Sequence, residues 1–143
     1  MIRAFGSGVA ALALLASLVS AQAAGEATYR AELKGSNEVP ANTSTGSGEV
    51  TATYDPASRQ LSWKGSYSGL TGPATAAHFH GPAEPGKNAG VLVPAPAPAS
   101  PFSGSATLDE AKAADLAAGK LYFNVHTAAN PGGEIRGQVV PAK

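Results

Sequence analysis

His78 and His80 are two of the three histidines of this chain and stand two residues apart in "TAAHFHGPAEPG"; the third, His126, lies in "LYFNVHTAANPGGEIRG". On an extended strand, residues i and i+2 share a face, with side chains roughly 7 Å apart. Two imidazoles at that spacing can converge on one ion at about 2 Å each, and a third from a neighbouring strand completes a three-nitrogen site with an open position. Such ligation suits Cu(II) or Zn(II) and disfavours Mg or Ca, which take oxygen. The chain has no cysteine, so any metal must be held by imidazole, carboxylate or phenol. The plain alternative is three solvated histidines on strand faces.

Alternation of polarity says which way these residues point. In "ATAAHFHG", Ala76, His78 and His80 share one face, and Phe79 takes the opposite, core-facing side. In "KLYFNVHT", Leu121, Phe123 and Val125 face the core, which sends Tyr122, Asn124 and His126 outward. In "GEIRGQVV", Ile135 and Val139 go in, and Glu134, Arg136 and Gln138 go out. The last two segments form a hairpin around "AANPGG". Its shortest register sets Glu134 opposite His126 and Arg136 opposite Asn124. Glu134 would then accept the proton of the His126 nitrogen that does not bind metal and fix its tautomer. Tyr122 and Asn124 are the neighbouring polar groups. Glu38, in "GSNEVPAN", reads as a turn or strand-edge residue, and Tyr67 as a core partner of Trp63.

The supporting elements are strands. "GEVTATYD" and "RQLSWKGSYS" alternate cleanly, "ATYRAELKG", "GVLVP" and "FSGSATL" less so, and Gly, Pro, Ser and Thr punctuate them. The expected class is all-β, an antiparallel sandwich or barrel of about eight strands with one short helix. The helix is expected from about Leu108 to Ala118, with Thr107 and Glu110 in capping-box spacing and Gly119 as its stop. "PAPAPASP", residues 94–101, is expected to run extended over the surface as a loop.

Composition narrows the classes further. Met1-Ile2-Arg3, an apolar run from Val9 to Val19 and Ser20-Ala21-Gln22-Ala23 follow the order of a secretory signal peptide. Residues 1–23 are therefore expected to be removed, leaving 24–143 as one domain of a secreted or periplasmic protein with no membrane span. The chain carries ten basic and ten acidic side chains and no basic run, so nucleic acid is not an expected partner. No nucleophile motif such as G-x-S-x-G accompanies the histidines.

Three segments, "AELKGSNEVPANTSTGSGEVTATYD", "TAAHFHGPAEPGKNAGVLV" and "LAAGKLYFNVHTAANPGGEIRGQV", together resemble the CHRD domain from about Thr28 to Val140. The resemblance rests on Gly35, Glu38, Val39 and Pro40, on His78, His80, Gly81 and Pro82, and on the Asn-Val-His-Thr and Gly-Gly-Glu-Ile-Arg-Gly ending. It implies a single exported domain, of the type that in chordin accompanies growth-factor-binding modules. A more distant similarity to the Cu/Zn superoxide dismutase sandwich implies copper ligation by His78, His80 and His126, and an anion-attracting role for Arg136. The chain departs from that pattern in lacking a bridging histidine, a fourth copper histidine, a zinc cluster and a disulfide.

The chain is expected to serve extracytoplasmic binding or delivery of copper, else zinc, by His78, His80 and His126, with no turnover required. Glu134, Arg136, Asn124 and Tyr122 would support the site or contact an anion. A metal-free module contacting another envelope or secreted protein is the alternative, and a redox enzyme acting on superoxide the third reading.

Overall fold

Eight segments form strands, and in most of them the apolar residues recur at every second position. A computed structural model describes residues 25–143; the expected signal peptide lies outside them. The strands are β1 (Ala27–Lys34), β2 (Ser47–Asp55), β3 (Gln60–Ser68), β4 (Ala74–His80), β5 (Val91–Pro94), β6 (Phe102–Thr107), β7 (Leu121–Thr127) and β8 (Ile135–Pro141). They join in one antiparallel sheet of order β5-β4-β7-β8-β1-β2-β3-β6.

The sheet folds over so that its two ends face each other. Trp63 on β3 meets Phe79 on β4 edge-to-face with ring centroids 5.1 Å apart, and Phe102 on β6 stacks on Phe123 of β7 at 5.4 Å. These strands lie at opposite ends of the sheet order, so the contacts require a nearly closed sandwich. Leu33, Leu61, Leu121, Val125 and Ile135 complete the fully buried core between the halves. Gly104 on β6 lies so close beneath the Trp63 ring that a Cβ there would overlap it. Burial of these large side chains supplies the main stabilising term, roughly 1.5–3 kcal/mol for each one removed from water.

One helix, α1 (Glu110–Ala117), follows β6. It starts two residues later than expected, and its cap differs. Asp109, not Thr107, accepts from the Lys112 backbone N–H at 2.8 Å, because Thr107 still belongs to β6 and Leu108 is buried. Gly119, at φ +73°, stops the helix as expected. Pro94 also differs: it closes β5, paired with His78, and only the segment after it forms the connection to β6. That connection is tied down by Tyr67, whose hydroxyl donates to the Pro98 carbonyl at 2.6 Å. Among the described residues no helix is long and apolar enough to cross a membrane.

Candidate metal centre

β4 and β7 are neighbours in the sheet, and their register decides which side chains meet. His78 pairs with Asn124, His80 with Tyr122, and Ala76 with His126. His126 is therefore the diagonal neighbour of His78 on the same face, within reach of an aromatic ring. The three histidines gather on the face opposite Phe79 and Phe123. Their ligand atoms all lie within 4.8 Å of one another.

The closest pair is His78 and His126. Nδ1 of His78 stands 3.0 Å from Nε2 of His126, and Nδ1 of His126 stands 2.8 Å from the Pro131 carbonyl. A carbonyl only accepts, so His126 carries its proton on Nδ1 and presents a lone pair at Nε2. His80 stands apart from this pair. Its Nδ1 faces the Ala89 carbonyl at 3.0 Å, its Nε2 faces Asn124 Oδ1 at 2.9 Å, and its ring lies parallel on Tyr122 with centroids 4.8 Å apart.

The face is not an outer surface. Tyr122, Asn124 and Arg136 are buried, His80 is 8% exposed and His126 9% exposed. The sequence-based expectation of outward-pointing side chains holds only relative to the apolar core, because residues 81–90 roof this face as a second, polar layer. Several groups bind that roof. Tyr122 OH donates to the Ala89 carbonyl and accepts from its N–H, both at 3.1 Å. Arg136 donates to the Lys87 carbonyl at 3.2 Å and to Asn88 Oδ1 at 2.8 Å, and Gln138 donates to the Ala83 carbonyl at 2.8 Å.

Glu134 does not support His126 in the way expected. Its carboxylate is fully buried and accepts from Thr71 N–H, Thr71 Oγ1, Thr127 Oγ1, Ser44 Oγ and Asn130 Nδ2. The Pro131 carbonyl takes the His126 proton instead. Burial by itself would raise the Glu134 carboxyl, but the hydrogen bonds from Thr71, Thr127 and Ser44 outweigh it and hold the group at about 2. Arg136 is likewise not free to attract an anion. It stands opposite Asn124, as expected, but its Nε donates to Glu38 Oε2 at 3.0 Å in a buried ion pair, and its guanidinium lies 4.0 Å over the Tyr122 ring. The charge is neutralised and its face is covered.

Glu38, read from the sequence as a turn or strand-edge residue, is 5% exposed and bound to a residue 98 positions away. Burial pushes its carboxyl up, against the opposing pull of Arg136. The backbone carbonyls of Ala89 and Pro131 carry no sequence signal. Burial pushes His78 down from 6.5, with the neighbouring His126 and His80 adding to it; burial also pushes His80 down, against the pull of Ala89 and Asn124. Both imidazoles are thereby biased towards the neutral form that ligates metal.

A folded-over, eight-stranded antiparallel sandwich with three imidazoles in a roofed polar layer is the class of protein these features define. The CHRD domain family model matches residues 29–139, and the chain belongs to that family. No curated protein and no solved structure matches it.

Proposed function

We propose that this CHRD protein binds a divalent transition metal through His78, His80 and His126, copper first and zinc second, and serves extracytoplasmic metal binding or delivery. The observation that carries this reading is the 3.0 Å separation of His78 Nδ1 and His126 Nε2, with His126 Nδ1 committed to the Pro131 carbonyl. Two nitrogens each about 2.0 Å from one ion stand roughly 2.8 Å apart in square-planar geometry and roughly 3.3 Å apart in tetrahedral geometry. The pair thus has the spacing of one edge of a coordination polyhedron. A carbonyl behind one ligand is the usual support that sets a metal-binding tautomer. His80 supplies the third imidazole, with its ligand nitrogen within 4.8 Å of those of the pair. Imidazole donors without thiolate favour Cu(II), which also heads the affinity order of divalent ions.

The roofed face argues for a ligand over a protein partner, since little of it is left for another chain to contact. Pairing of Arg136 with Glu38 argues against a site built to draw in superoxide. The signal-peptide pattern of residues 1–23 supports an extracytoplasmic location.

The test is calorimetric titration of the protein with Cu(II) and Zn(II), beside a His78→Ala/His126→Ala variant whose fold is checked by circular dichroism. One-to-one binding that the folded variant loses supports the reading. Equal, weak binding by both proteins overturns it.

A further inference from the structure

Asn124 sits directly opposite His78 in the β4–β7 ladder and is 1% exposed. Its amide is held in one orientation. Nδ2 donates to the Gly132 carbonyl at 3.3 Å, and both Nδ2 and Glu38 Oε1 crowd the place where a Cβ on Gly133 would stand. Glu38 Oε1 is itself buried with no well-formed hydrogen bond. Turning the amide over would set Oδ1 against two oxygens, so Oδ1 faces the histidines.

There it meets His80 in an arrangement that a neutral imidazole cannot satisfy at both ring nitrogens. Oδ1 is 2.9 Å from His80 Nε2, while the other ring nitrogen, Nδ1, is 3.0 Å from the Ala89 carbonyl. Both neighbours are acceptors, and a neutral imidazole has one N–H to give. With that proton on Nδ1, the lone pairs of His80 Nε2 and Asn124 Oδ1 confront each other at contact distance. Two acceptors so placed repel unless a proton or a metal ion lies between them. Their separation is again that of a polyhedron edge for ligands about 2.0–2.1 Å from an ion. A second edge, His78 Nδ1 to His126 Nε2, is near it, since the ligand atoms of the three histidines all lie within 4.8 Å of one another.

From these two edges we infer that Asn124 Oδ1 is a fourth donor, giving the metal site three imidazole nitrogens and one amide oxygen. The inference rests on the metal reading above and extends it. Glu38 takes a role in it: a carboxylate at the amino end of the Asn124 amide draws negative charge onto Oδ1 and makes it a better donor. A neutral oxygen in the set suits borderline divalent ions and works against Cu(I), whose preference is for soft sulfur ligands.

Titration of wild type, Asn124→Ala and Asn124→Asp with Cu(II) and Zn(II), with melting curves for each, tests this. Cu(II) electron paramagnetic resonance in isotopically labelled water is read alongside. Asn124→Ala is expected to weaken binding by about 10–100-fold and to admit a labelled water to copper. Asn124→Asp, which keeps an oxygen in place, is expected to restore wild-type affinity or better, even though it adds a buried charge and lowers the melting temperature. A merely structural asparagine would fail that rescue. Unchanged affinity and spectrum in Asn124→Ala, or no rescue by a folded Asn124→Asp, overturns the fourth donor and leaves the histidine site standing. No binding by wild type overturns both. Should Asn124→Ala not fold, the wild-type spectrum still decides: a labelled water in place of the protein oxygen overturns the proposal, and its absence supports it.

Discussion

His78 and His126, 48 positions apart in the chain, bring two ring nitrogens within 3.0 Å of each other. Neither residue owes this to a loop, because both lie on regular strands whose diagonal pairing sets the distance. His126→Ala is therefore expected to leave the fold intact and remove one edge of the metal site. In a thermal melt, wild type should gain stability as Cu(II) is added, by about 2.7 kcal/mol at a hundredfold excess over the dissociation constant. The variant should show no such gain.

Acid should act on the metal-free protein through the same residues. His78 and His80 have folded pKa values pushed below 6.5, burial first among the causes, so the unfolded chain takes up protons first as pH falls. Their contribution to stability is complete above about 6.5 and is lost as pH drops through the lowered folded values. Denaturant titrations at a series of pH values should show this decline, and it should shrink in His78→Gln. Protons also compete with metal at these nitrogens, so Cu(II) should remain bound at pH values where an ordinary solvated histidine releases it.

Glu134 gives a second and more acidic window. Its carboxyl titrates at about 2 instead of 4.5, so the stability it confers is present above about 4.5 and lost as pH falls towards 2. The difference corresponds to about 3 kcal/mol. Glu134→Gln turns an acceptor of five donors into a group that offers one oxygen, and should cost on the order of 3 kcal/mol at neutral pH while flattening the pH dependence between 4.5 and 2. Chemical denaturation at both ends of that range measures each effect.

The buried ion pair of Glu38 and Arg136 should behave as a unit. Removing one partner strands the other charge, at a cost of about 3–5 kcal/mol. Glu38→Leu and Arg136→Met are each expected to destabilise by that amount, and the double variant to recover most of it. Independent, additive losses would mean that the two side chains do not depend on each other.

Gly133 adopts φ +127°, in the region that favours glycine, and a Cβ there would overlap Glu38 Oε1 and Asn124 Nδ2. Gly133→Ala should therefore cost about 1–3 kcal/mol from backbone strain alone. It should also displace Asn124, so metal affinity and melting temperature are expected to fall together.

Period-two alternation was enough to read the faces of β4 and β7, because the pleat forces Phe79 and Phe123 one way and His78, His80 and Asn124 the other. The three histidines could be brought to one face on that ground alone. The roof could not, since "GPAEPGKNAG" has no period and, apart from the Asn88 side chain, its anchors Tyr122 and Arg136 hold backbone carbonyls that any residue type would offer. Glu134 was misread for a related reason: its partners Ser44 and Thr71 come from loops up to 90 positions away, and a charge on an alternating strand reads as solvent-facing unless those loops are known to fold over it. The helix cap slipped by two residues because Thr107 and Asp109 are both good caps, and the length of β6 decided between them.

The order of strands in the sheet has a consequence for when the site can exist. β4 emerges early in synthesis with His78 and His80, but its ladder partner β7 is the last strand but one, arriving only after β5, β6 and α1. Until then the two histidines have no third imidazole, no Asn124 and no Pro131 carbonyl beside them. A nascent or truncated chain thus offers a metal only a loose pair of ligands, and the complete set appears with closure of the sandwich. A tightly held ion would mark a chain that has finished folding.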